Sequence, residues 1–135
     1  MAVKRMFSKL VVCEDGFLEM PHSSQLLYFH IGMQADDDGF ANNVRSIMRT
    51  VNCNEDDLKI LIAKNYVIPF QSGVFVVRHW RVNNSIQKDR YTETRYKMEK
   101  RLLCSDENKA YILYQTNDDT NVIYSDRWVR PNQLV

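Results

Sequence analysis

Apolar residues recur at helical spacing in three successive stretches of this 135-residue chain and then give way to the short β-rich runs of a hairpin. The first stretch follows Pro21, a residue suited to a first helical turn, with Ser23 or Ser24 available as a cap. Leu26, Leu27, His30, Ile31 and Met33 or Gln34 mark its expected apolar face. In the second, Val44, Ile47, Met48 and Val51 fall at i, i+3, i+4 and i+7 behind Asn42 or Asn43 as cap. After a break at Asn52-Cys53, Asn54 caps a third helix. Its first turn holds Glu55, Asp56 and Asp57, where the helix dipole favours acids. Leu58, Leu61, Ile62 and Asn65 repeat the period.

The hairpin is "YVIPF" and "VFVVRHW" joined through Gln71-Ser72-Gly73, with Pro69 expected on an edge or at a strand end because it has no N–H to donate. Ahead of the helices, "LVVC" at 10–13 reads as a short extended run. Beyond the hairpin a polar, basic segment precedes a helix from about Thr94, with Leu102 and Leu103 at its end. Two strand-like runs, "KAYILY" and "NVIYS", flank a turn at residues 117–120, and nothing after Trp128 suggests regular structure. Helix, short strand at Phe40-Ala41, helix, tight turn, helix, hairpin is an α+β order. It predicts a winged helix-turn-helix (three helices plus a β-hairpin wing) with a C-terminal helix and a short β tail. Residues 1–104 are read as this winged-helix domain and residues 105–135 as a β-rich tail leading towards a linker.

The link between the first helix and the small strand is "ADDDGF". Three adjacent acids before a glycine raise the question of a calcium loop. With Gly39 at position 6, Asp36 and Asp38 fall at 3 and 5, but position 1 is Gln34 and position 12 is Arg45, a cation where the strongest ligand belongs. The acids are therefore expected to be solvated punctuation, with Gly39 supplying a turn conformation that other residues resist.

Charge refines this picture. The net charge is +1, yet residues 14–57 hold nine acids against Arg45 and Arg49, while residues 78–101 hold eight bases against Asp89, Glu93 and Glu99. One face is expected to be basic. Cys13, Cys53 and Cys104 are scattered and read as reduced thiols of a cytoplasmic protein. No signal peptide and no run of transmembrane length is visible, so no membrane partner is expected.

Catalytic chemistry finds little support. His22 sits at a helix start, His30 on an apolar face and His79 at a strand end beside Trp80, with no nucleophile motif near it. The four glycines are not clustered into a phosphate cradle. The chain is read as a non-enzyme, without cofactor or metal. For nucleic acid, the third helix would normally enter the groove with its N-terminus, but here that end is Asn54-Glu55-Asp56-Asp57. Either Lys59 and Lys64 reach DNA with the helix rotated, or the surface is the wing end and the segment after it. Arg78, Arg81, Asn84, Lys88 and Arg90 are the candidates there. A protein-interaction module and a transcriptional regulator on the same fold are the rival readings.

The stretches "RMFSK", "FLEMPHSSQLLYFHIGMQADDDGF", "IMRTV", "DDLKILIAKNYVIPFQSGVFVVRHW" and "NNSIQKDRYTETRY" resemble the N-terminal domain of phage replisome organizers, replication initiation proteins related to the DnaD-type primosome proteins. The resemblance runs from about residue 5 to about 114, and "ADDDGF" with "HW…NN.I.KDRY..T.Y" carries most of it. It implies a winged-helix domain binding double-stranded DNA of a phage origin, often as a homo-oligomer, and helping to deliver a host helicase or helicase loader. It marks His79, Trp80, Asn83, Asn84, Lys88, Asp89, Arg90 and Tyr91 as motif positions without assigning DNA contacts among them. Members usually continue into a second, C-terminal domain.

Overall fold

The computed structural model describes residues 3–113, 115–117 and 121–123. Two single-turn helices, α1 (Lys9–Val12) and α2 (Asp15–Leu18), precede the long α3 (His22–Gln34). Then come β1 (Phe40–Ala41), α4 (Val44–Val51), α5 (Glu55–Ala63), β2 (Val67–Pro69) and β3 (Phe75–Val77). A further helical turn α6 (Trp80–Asn83) and α7 (Lys97–Arg101) lead to β4 (Leu103–Ser105), β5 (Tyr111–Leu113), β6 (Gln115–Asn117) and β7 (Asn121–Ile123). The architecture is mixed α+β, with small antiparallel sheets. The first sheet has the order β1-β3-β2, with Phe40 opposite Val76 and Val67 opposite Val77. Strands β4 and β5 pair with each other, as do β6 and β7.

The second and third helices form where the spacing placed them. Val44, Ile47 and Met48 are buried along α4, and the chain leaves it through Asn52 at φ 59°, a left-handed position that Asn tolerates. Helix α5 begins with a capping box: the Asn54 side chain accepts from the Asp57 N–H at 3.1 Å, and the Asn54 N–H donates back to the Asp57 carboxylate at 2.9 Å. Pro69 lies at the end of the edge strand β2, where its missing N–H leaves no gap in the ladder.

Several expectations are corrected. Leu10, Val11 and Val12 of "LVVC" are helical, in a single turn too short for periodicity to reveal, and Cys13 is its C-cap. Helix α3 starts behind Pro21 with no side-chain cap; Ser24 instead donates to the Asp57 carbonyl at 3.1 Å and fastens α3 to α5. Its buried face is Ser24, Leu27, Tyr28 and Ile31, leaving Leu26 and Met33 outside. The run "VFVVRHW" stops being strand at Val77, because Trp80 turns inward to cover Gly39 and opens α6. The late helix covers Lys97–Arg101 only, and Leu103, expected at its end, is strand.

The core is one cluster running from Val11 to Tyr111. Tyr111 is fully buried; its N–H donates to the Arg78 carbonyl at 2.8 Å and its hydroxyl to the Asp38 carbonyl at 2.9 Å. The β4–β5 hairpin therefore shares the core of the preceding helices. The expectation of irregular chain after Trp128 lies outside the described residues.

Candidate nucleic-acid interface

The acids expected to be solvated punctuation are a buried knot. Asp37 is 3% exposed and Asp38 2%. Carboxylates out of water persist only when charge-assisted hydrogen bonds replace their hydration, and these do. Asp37 takes the Arg5 guanidinium at 3.1 Å and the Thr92 N–H at 3.0 Å. Asp38 takes the Tyr91 hydroxyl at 2.8 Å, the Thr94 N–H at 2.8 Å and the ammonium of buried Lys100 at 3.5 Å. Asp36 caps its own turn, accepting from the N–H groups of Asp38 and Phe40 at 3.0 Å each, and burial pushes its carboxyl above the usual carboxylate range.

The same knot explains the asparagine pair. Asn83 and Asn84 use their side-chain carbonyls as two rungs of a ladder, accepting the N–H groups of Ser8 and Met6, both at 2.8 Å. The N-terminal arm is pinned across α6, with the Arg5 guanidinium 5.1 Å from the Trp80 ring centre. Asn84 is thus a structural clasp: its Oδ1 is committed to the arm, and its Nδ2 is buried with no hydrogen-bond partner among the described residues.

Around the knot lie two adjoining clefts of about 190 and 500 Å³ that share Asn84, Ser85 and Ile86. Arg81 and Lys109 line the first, Lys4 and Arg90 the second. A turn closed by the Arg90 N–H on the Gln87 carbonyl at 2.9 Å holds exposed Lys88 and Arg90 in the same segment. The structure therefore brings together Arg81, Asn84 and Arg90, with Lys88 in their loop. It adds Lys4 and Lys109, which sequence reasoning missed because they are remote in the chain from the basic run.

The other candidates fall elsewhere. Arg78 is half-buried, 3.8 Å from the Asp106 carboxylate, and lines a separate depression with His79 and Glu14. Lys64 is held by the Gly16 carbonyl at 3.2 Å and lies 3.8 Å from Glu19. Lys59 is exposed on α5, and neither it nor Lys64 lines the clefts. At the start of α5, Glu55 and Asp56 are exposed and Glu55 pairs with Arg45. That helix end meets solvent with acids.

His79 is not poised for acid–base work at neutral pH. Burial, then the Arg78 charge, hold its imidazole down at about 4. Its Nε2 sits 3.2 Å from the Arg78 guanidinium, which can only donate, so that nitrogen accepts. A histidine depressed in the fold is protonated more readily when unfolded, so its contribution to stability is lost as pH falls from about 6.5 towards 4. The expected outcome is that His79→Gln flattens the acid limb of the stability curve by up to about 1.4 kcal/mol per pH unit in that window. Urea unfolding at a series of pH values measures it; parallel curves for the two proteins would remove His79 from the acid response.

Among the described residues, no helix is long and apolar enough to cross a membrane. Among the same residues, no group of three His, Cys, Asp or Glu side chains is arranged to hold a metal ion. No protein-family model, no curated protein and no solved structure matches this chain.

Proposed function

We propose that this chain is a winged-helix DNA-binding domain of a phage-type replication initiator, acting in replisome assembly without catalysis. The observation that carries the reading is the set of bases lining the two clefts, Lys4, Arg81, Arg90 and Lys109, with exposed Lys88 in the same loop as Arg90. The element order supports the fold part of the proposal. Helices α3, α4 and α5, with β1 added to the edge of the β2–β3 hairpin, follow the order of a helix-turn-helix with a wing. The acidic start of α5 turns the proposal away from groove reading by that helix and towards phosphate contacts from the segment after the hairpin. A host helicase or helicase loader is the protein partner that the family resemblance adds.

A fluorescence-anisotropy titration tests this, using a random duplex and DNA flanking the protein's own gene across a salt series. Four or five neutralised phosphates give a log–log slope of about −4. Arg81→Ala, Lys88→Ala and Arg90→Ala together are expected to flatten the slope by about 2 to 3 and to weaken binding on both DNAs. Arg78→Ala, which lies outside the two clefts, should do less. A slope untouched by the triple substitution would overturn the surface. Absence of salt-sensitive binding would favour the second reading, a protein-interaction module, for which exposed Glu55 and Asp56 are the specific observation.

A further inference from the structure

The two clefts differ in kind. The smaller, of about 190 Å³, is polar and charged, with Arg81 and Lys109 lining it beside Asp37 and Asp38. Both carboxylates are already engaged, Asp37 by Arg5 and Asp38 by Lys100, which leaves Arg81 and Lys109 to set the sign of the cleft. The larger, of about 500 Å³, is walled by Val3, Met6 and Ile86, with Lys4 and Arg90 also lining it. Val3 and Met6 are exposed. Asn84, Ser85 and Ile86 belong to both, so a cationic recess opens directly into an apolar one.

Lys109 occupies its place at a backbone cost. In the β4–β5 turn its N–H donates to the Asp106 carbonyl at 3.0 Å, and the Asp106 N–H to the Ala110 carbonyl at 2.9 Å. A three-residue hairpin loop of this kind ends on a left-handed residue, ordinarily glycine. Lys109 takes that position at φ 69°. A lysine held in this conformation points to a use for its side chain, and the residue lines the cationic cleft.

We propose that the two clefts together hold one unpaired nucleotide, its phosphate beside Arg81 and Lys109 and its base against Met6 and Ile86, with single-stranded DNA as the source. A duplex offers phosphates to a basic surface but keeps its bases paired and stacked inside, and would leave the apolar cleft empty. A single strand exposes both parts: the phosphate carries the charge, and every base has an apolar face whatever the sequence. The inference rests on the reading of these clefts as a DNA surface and adds what they select.

Fluorescence anisotropy of the full chain tests it with an oligothymidylate, an abasic strand of equal length and charge, and a duplex, circular dichroism confirming that each variant folds. The thymidylate is expected to bind about 10-fold tighter than the abasic strand, the size of one base contact. Ile86→Ser should bring that ratio down to about 2 or less. Lys109→Gly relieves the turn, so its Tm should not fall below that of wild type, yet it should weaken binding of both strands about 3-fold or more. Thymidine 5′-monophosphate should compete at least about 100-fold more weakly than the strand; competition as tight as the strand's own would overturn DNA as the source and assign the clefts to a free nucleotide. Equal binding of the thymidylate and abasic strands, a ratio unmoved by Ile86→Ser, or wild-type affinity in Lys109→Gly would each overturn the nucleotide site, while salt-sensitive duplex binding kept the DNA reading intact. No binding to any of the three DNAs would overturn both.

Discussion

Asp38→Ala is expected to destabilise the protein by about 3–5 kcal/mol, because it leaves the Lys100 ammonium buried without its carboxylate. Lys100 is 5% exposed, and its other charged neighbour, Glu93 at 3.5 Å, is half open to solvent. The same substitution strips an acceptor from the Tyr91 hydroxyl and from the Thr94 N–H. For a chain of this size the loss corresponds to a Tm lower by about 10–20 °C. Lys100→Met should cost less, since Asp38 keeps Tyr91 and Thr94 when the ammonium goes. The double variant should be less damaged than the sum of the singles, a coupling that urea titration of all four proteins measures directly. An Asp38→Ala cost below about 1 kcal/mol, typical of a solvated acid, would overturn the knot.

That knot is also where the sequence was hardest to read. Helices α4 and α5 and the β2–β3 hairpin announce themselves through short-range signals: apolar spacing within one helix, Asn54 before three acids, a glycine between two β-rich runs. Local patterns can show only local structure. The partners of the acids lie far along the chain, Arg5 at 32 residues from Asp37 and Lys100 at 62 from Asp38. Nothing inside "ADDDG" distinguishes solvated carboxylates from buried ones. The available signal was a coincidence: "ADDDGF" and "HW…NN…KDRY" were the most distinctive stretches, and they meet, with Arg5 of "RMFSK" joining them. Asn84 shows the consequence. Its place beside basic residues suggested a DNA contact, whereas its side-chain carbonyl substitutes for backbone in holding the N-terminal arm. Lys4 and Lys109 were invisible for the converse reason, being basic neighbours only in three dimensions. The face of α3 was misjudged because its apolar and polar residues do not separate onto opposite sides: Ser24 is buried while Leu26 and Met33 are exposed.

Gly39→Ala should be the most damaging single-methyl change, at about 2–5 kcal/mol, and it links the knot to the proposed binding surface. Gly39 has φ +92°, outside the range that L residues favour, which contributes about 1–2 kcal/mol to the cost. A methyl there would lie 2.6 Å from Trp80 Cγ and 2.7 Å from its Cβ. The indole cannot easily withdraw. It is 2% exposed, donates from Nε1 to the Asp37 carbonyl at 2.9 Å, and carries Arg5 over its ring. Relieving the overlap therefore shifts α6, at a further cost of about 1–3 kcal/mol. Gly73→Ala is the matched control: φ is +88°, but nothing lies within 4 Å, so it bears the backbone cost alone. The difference between the two alanines isolates the contact with Trp80, and equal losses would show that the indole yields. Arg81 follows Trp80 directly and Asn84 closes the same turn, so a displaced indole carries the first cleft with it. Under conditions where Gly39→Ala remains folded, its salt-dependent DNA affinity should fall while that of Gly73→Ala does not. The proposed phosphate-binding surface is built on long-range support, so it should fail when the support moves, even with every basic side chain intact.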